Sequence, residues 1–228
     1  MVSVVSLAWS SVGKKFLMAS TGLGLVGFTI MHLIGNLMLC NPNPDPFNKY
    51  AHFLAGLGVL VYVTEIGLFA FFMVHSVSGL FVYLEKLQAR PEPYILSKNA
   101  GHSSRKNIAS ITMIYTGAIL FIFIVLHLWQ FKYGPYYPVT IDGIEMRDLY
   151  RVVIEIFSNP WWVLWYVAAT GLIGFHLWHG FWSAFQSLGI YHPRLSMLIN
   201  ATGYCIALCL AFGYVMLPIW IYFTRGIQ

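Results

Sequence analysis

The chain has 228 residues, of which 58% are hydrophobic and only 9% charged, against roughly 25% charged in a soluble domain. That balance excludes a water-soluble globular protein and makes lipid the solvent. The net charge of +5 lies in small groups between apolar runs, so it reads as orientation signal and gives nucleic-acid binding no support.

The N-terminal "MVSVVSLAWSSVGKKF" has its lysines after its apolar part, the reverse of a cleaved leader, and reads as an interfacial segment. Five apolar runs follow, at residues 16–40, 54–86, 108–132, 160–188 and 197–224. Each is long enough to cross a bilayer, which takes about 20 residues. The fold expected is an all-α integral membrane bundle of five spans, one domain over residues 1–228.

The first run holds "TGLGLVGFTIMHL": Thr21, Gly22, nine residues, then His32 and Leu33. The segment before the second run, "FNKYAHF", carries Asn48 and His52. The second run contains Glu65 and "HSVSG" from His75 to Gly79. A basic loop follows, with Lys86, Arg90, Lys98, Arg105 and Lys106.

The third run repeats the first: "TGAILFIFIVLHL" has Thr116, Gly117, nine residues, then His127 and Leu128. The fourth repeats the second with "HLWHG", His176 to Gly180, in the same H-x-x-x-G spacing. That match singles out His176 and leaves His179 without a counterpart. Pro160 suits the first turn of the fourth helix with Asn159 as its cap. The fifth run has no histidine, carries Cys205 and Cys209, and is kinked by Pro218. "KYGPYYP", "NPWWVLWY" and "LPIWIYF" read as interfacial aromatic belts.

Eight basic residues (Lys14, Lys15, Lys86, Arg90, Lys98, Arg105, Lys106 and Arg194) fall on one side of this topology and five (Lys49, Lys132, Arg147, Arg151 and Arg225) on the other. The excess puts the N-terminus and the 86–107 loop in the cytoplasm. Successive spans run in opposite directions, so His32 and His127 form one level, toward the outside. His75 and His176 form a second, toward the cytoplasm, roughly 10–20 Å away. Facing imidazoles in a helix bundle are how b-type haem is held. Four matched histidines on four spans therefore suggest two bis-histidine haems. The competing reading is buried histidines bonded to neighbouring carbonyls. No CxxCH motif, nucleotide-binding glycine loop or catalytic triad pattern is present.

The same residues resemble a family. "GKKFLMASTGL", "MHLIGN", "EIGLFAFFMVHSVSG", "TGAILFIFIVLHLWQF" and "FHLWHGFWSAFQSLG" are similar to the cytochrome b membrane anchor of succinate:quinone oxidoreductases and quinol:fumarate reductases. The type is the single-chain, five-helix, two-haem one, and the resemblance covers nearly the whole chain. It implies His32 and His127 as ligands of an outer haem b, and His75 and His176 of a cytoplasmic one. In the family the fourth ligand stands thirteen residues before a helix-closing glycine; Gly189 lies thirteen after His176.

The resemblance also implies partners: a flavoprotein with covalent FAD, where succinate and fumarate are handled, and an iron–sulfur subunit. This chain would exchange electrons between that subunit and menaquinone in a prokaryotic cytoplasmic membrane. Arg105, Lys106 and Ser103 (with His102 beside them), Lys14, and Ser187 next to Gln186, are candidates for haem propionates, the alternative being plain topology signal. Glu65 and His52 are quinone or proton candidates. Asn48 stands nearest the place where the family has an acidic quinone-site residue, a departure from its pattern. A b-type anchor of a hydrogenase or formate dehydrogenase, or a non-redox proton channel or transporter, remains an alternative on these residues.

Overall fold

Helix α1 (Val4–Ala8) is short, and Ser10 separates it from the first long helix. The Ser10 hydroxyl accepts a hydrogen bond from the Gly13 amide at 3.0 Å and so caps α2 (Ser11–Asn36). This is a computed structural model, and it describes residues 4–89, 108–190 and 192–226. Five residues earlier than the apolar run suggests, α2 has already begun; it ends in a tight turn at Leu37–Cys40.

A short amphipathic helix, α3 (Asp45–Ala55), packs beside the end of α2. Gly56 and Gly58 then break the chain, Gly58 with φ of 59°, a conformation costly for other residues. For that reason the second span starts at Val59 rather than at 54. It is α4 (Val59–Gln88), in which Ser78 is the sole buried residue. Val59, Tyr62, Val63, Ile66 and Phe69 are all exposed. An apolar helix exposed nearly all round is stable in lipid, where its backbone is satisfied internally.

Helix α5 (Ile108–His127) continues in a wider turn at Leu128–Lys132. The next segment is a β-hairpin, β1 (Pro138–Ile141) against β2 (Ile144–Arg147), with Asp142 and Gly143 at its tip. Both tip residues have positive φ, 51° and 78°, as a two-residue Asp-Gly turn requires. This hairpin departs from the expected all-α architecture, though it holds only eight residues.

Amphipathic α6 (Leu149–Phe157) buries Tyr150, Val152, Val153 and Phe157 and meets α7 (Pro160–Ser187) at 97°. The cause is local. A residue before proline avoids helical geometry, and Asn159 sits at φ −90°, ψ 116°. Its side chain instead accepts from the Trp161 amide at 2.9 Å. At the far end, Gly189 (φ 77°) closes α7: its amide donates to Gln186 O, and that of Ile190 to Phe185 O. Last comes α8 (Pro193–Ile221), extended by a turn to Gly226.

Among the described residues, four helices are long and apolar enough to cross a membrane, five when the bent α6–α7 pair is taken as one span. The protein is therefore a mainly α-helical membrane protein. Cross-links fix its antiparallel order. Lys14 at the start of α2 pairs with Glu85 near the end of α4. Glu65 near the start of α4 pairs with Lys132 at the end of α5. Tyr166 of α7 donates to Gln130 just past α5 at 2.7 Å.

Neighbouring helices follow the cycle α2–α4–α5–α7, and α8 packs on α7 and α2. Small residues permit the α7–α8 approach: a Cβ on Gly174 would lie 2.8 Å from Ala211 Cβ. The hairpin, α3 and α6 cap one end of this bundle. There the best-buried core forms, from Leu39, Phe47, Phe123, Tyr166, Ala169 and Ile221. On the cap's surface Arg151 donates to Glu155 at 2.8 Å, holding that carboxyl below its usual range. Tyr137 donates to the other Glu155 oxygen at 2.9 Å.

Candidate functional site

The four repeat histidines meet in two pairs across the diagonals of the helix cycle. His32 on α2 faces His127 on α5 with ring centres 5.7 Å apart and planes at 86°. His75 on α4 faces His176 on α7 at 6.2 Å and 66°. Neither α2–α5 nor α4–α7 ranks among the helix pairs in extensive backbone contact. Each pair thus reaches through the middle of the bundle.

The two levels are set by one sequence spacing. His75 lies against Gly22, where a Cβ would come within 2.9 Å of the ring, and His176 lies against Gly117, with 3.7 Å to a Cβ there. His32 and His127 follow those glycines by ten residues, which is about 15 Å along a helix. So the glycine of each Thr-Gly pair lies against the imidazole of one level, and the His-Leu pair supplies the imidazole of the other. The glycines of the H-x-x-x-G repeat face methionines, Gly79 toward Met18 Sδ and Gly180 toward Met113 Cε.

The surroundings of the two pairs differ. At the hairpin end His127 stacks on Phe123 and touches Phe131 and Tyr166, while His32 stacks on Phe28. His127 Nδ1 is buried with no hydrogen-bond partner. At the opposite end His75 Nδ1 lies 2.9 Å from Met18 O, and His176 Nδ1 lies 3.1 Å from Thr116 Oγ1. His179, half-buried one turn on, pairs with no second imidazole among the described residues.

The remaining candidates sit apart from the rings. Glu65 forms its ion pair with Lys132, and both remain partly exposed. Asn48 is 1% exposed and committed to the cap, donating to Asp148 Oδ1 at 2.8 Å and accepting from the Tyr150 amide at 2.9 Å. His52 is exposed on α3. Lys14 is buried against Glu85, with the Trp9 ring 6.0 Å away. Ser187 is half-buried at the end of α7 and Gln186 exposed. Arg105, Lys106, Ser103 and His102 lie outside the described residues. Cys40, Cys205 and Cys209 are free and exposed.

Two partners are not legible from the sequence reading. Lys132 figures there as an outer charge, and its place near the end of the third run opposite Glu65 is the signal for their ion pair. Thr116 figures as part of a repeat, and nothing in its polarity announces a histidine partner.

Among the described residues no three His, Cys, Asp or Glu side chains converge on a metal-sized site. A bare ion such as zinc takes about four ligands. Two imidazoles supply only the two axial donors, which suits an iron already held by a macrocycle. Two nitrogens at about 2 Å from one iron put ring centres roughly 6 Å apart, and the observed 5.7 and 6.2 Å agree. The residues present fit two bis-histidine haems. No family model, curated protein or solved structure matches this chain.

Proposed function

We propose that the chain is a two-haem cytochrome b membrane anchor of the succinate dehydrogenase and fumarate reductase kind. It would exchange electrons between an iron–sulfur partner and a membrane quinone, with menaquinone the preferred one. The observation that carries this reading is the double diagonal of imidazoles, at 5.7 and 6.2 Å, about 15 Å apart along the bundle.

A haem held by two imidazoles would supply one-electron transfer. The chain's own residues do the rest. His32 with His127, and His75 with His176, are the residues that would hold the two haems, each pair from opposed helices. Gly22 gives His75 room, and Met18 O orients it. Phe28, Phe123, Phe131 and Tyr166 exclude water from the hairpin-end pair. The basic bias places the His75 and His176 level toward the cytoplasm, where a flavoprotein carrying FAD and the iron–sulfur subunit would dock. Dicarboxylate chemistry would reside in those partners, because no residue pattern here performs it. Exposed His52 and the ion-paired Glu65, both toward the hairpin end, remain the proton-handling candidates beside quinone. Asn48 is tied to the cap through both ends of its amide.

The test is purification from membranes in mild detergent, with a reduced-minus-oxidised spectrum and analysis of bound subunits. Two low-spin haems per chain with a covalent-FAD partner are expected. A haem-free chain in a native complex overturns the proposal. Two haems with a hydrogenase or formate dehydrogenase partner would instead identify the other anchor class.

A further inference from the structure

The two halves of the bundle orient their inner histidines by different means. In the first half the His75 ring reaches Met18 O directly at 2.9 Å, and the Thr21 hydroxyl donates to Leu17 O at 2.6 Å and lies 3.3 Å from Met18 O, with no bond to the ring itself. In the second half the equivalent carbonyl, Met113 O, lies 3.1 Å from Thr116 Oγ1, with Thr112 O at 3.2 Å. The His176 Nδ1 lies 3.1 Å from that same hydroxyl. A threonine hydroxyl has one proton and two lone pairs. With two carbonyls in reach the hydroxyl can donate to backbone while its lone pair accepts from Nδ1–H of His176. That arrangement, like the His75 Nδ1 contact with Met18 O, puts the ring proton on Nδ1 and leaves Nε2 for the haem of the reading above. Among the described residues neither outer imidazole has a hydrogen-bond partner of this kind, and the Nδ1 of His127 has none at all.

We infer that Thr116 is a positioning residue for His176, fixing its tautomer and ring orientation through a hydroxyl bridge to the backbone where His75 uses a carbonyl directly. This rests on the haem reading above. An acceptor on Nδ1–H raises the basicity of the ligating nitrogen, and losing such a partner weakens metal affinity by on the order of 10-fold to 100-fold. A more basic imidazole favours ferric iron, so losing the bridge moves the midpoint of that haem in the positive direction.

The experiment compares wild type, Thr116→Val, Thr116→Ser and Thr21→Val in the full complex, by redox titration of the haem spectra and by haem retention under competing apomyoglobin. Thr116→Val keeps the side-chain shape and removes the acceptor. Expected is a positive midpoint shift and about 10-fold faster loss confined to one haem. Thr116→Ser should restore both, and Thr21→Val should change neither. The second haem, unmoved, reports that the variant is folded. Thr116→Val with both midpoints and retention as in wild type overturns the inference while leaving the haem reading intact. Equal shifts at both haems, or no rescue by serine, also overturn it. A wild-type complex with no haem would overturn the haem reading itself.

Discussion

His75 and His176 face each other at 6.2 Å from helices that share no extensive backbone contact, whereas His179, one turn from His176, faces no imidazole among the described residues. Replacing His176 by alanine should therefore remove one of the two haems, and replacing His179 should leave both. Haem per chain, from pyridine haemochrome assay of the purified protein, decides between them; one haem in the His179 variant with two in the His176 variant reverses the assignment.

Space around the inner pair is unequal. A Cβ on Gly22 would lie 2.9 Å from the His75 ring, one on Gly117 would lie 3.7 Å from His176, and one on Gly27 would meet nothing within 4 Å. Gly22→Ala should thus push the His75 ring off Met18 O and lower haem occupancy toward one per chain. Gly117→Ala and Gly27→Ala should keep two. Equal occupancy in all three would show that Gly22 does not seat the ring.

Asn48 joins α3 to the cap through Asp148 and the Tyr150 amide, at 1% exposure. Asn48→Ala strands buried partners and should cost about 1–3 kcal/mol. Thermal unfolding in detergent should show the lowered midpoint. An unchanged midpoint would mean that the cap does not depend on this amide.

The Arg151 hydrogen bond depresses the Glu155 carboxyl. A depressed folded pKa means the unfolded carboxyl binds the proton more readily, so the stabilisation is present above the unfolded value, near 4.3. It is lost as pH falls through the folded one. The pair is exposed, which keeps the effect small. Hydrogen-exchange protection across residues 137–157, corrected for the pH dependence of intrinsic exchange, should fall on acidification, less steeply in Glu155→Gln than in wild type. Parallel pH curves for the two proteins would remove Glu155 from the account.

Much of the bundle was legible because lipid enforces simple rules: long apolar runs become helices, and buried polar rings stand out. The spacing from Thr21-Gly22 to His32, and from Thr116-Gly117 to His127, carried the two levels, and the H-x-x-x-G match chose His176 over His179 before any ring contact was visible. Pro160 and Gly189 marked the two ends of α7 through backbone restriction alone. The cap was harder. Asp142-Gly143 and the apolar spacing of Leu149–Phe157 are signals for a hairpin and an amphipathic helix, but each is short and lies between two long apolar runs that dominate the pattern. The start of α4 shifts because Gly56 and Gly58 break an apolar run that composition sees as continuous. For Asn48 the spacing offers only a place near a quinone-site position, and its partners Asp148 and Tyr150 lie a hundred residues along the chain.

Each ring pair takes one member from α2–α4 and one from α5–α7: His32 with His127, and His75 with His176. A single two-helix hairpin of either kind would carry one imidazole at each height and complete neither grip. Two copies of one hairpin, related by a two-fold axis along the membrane normal, would complete both. The present chain has the form of two such hairpins carried in one sequence, which differ where Thr116 meets the His176 ring and Met18 O meets the His75 ring.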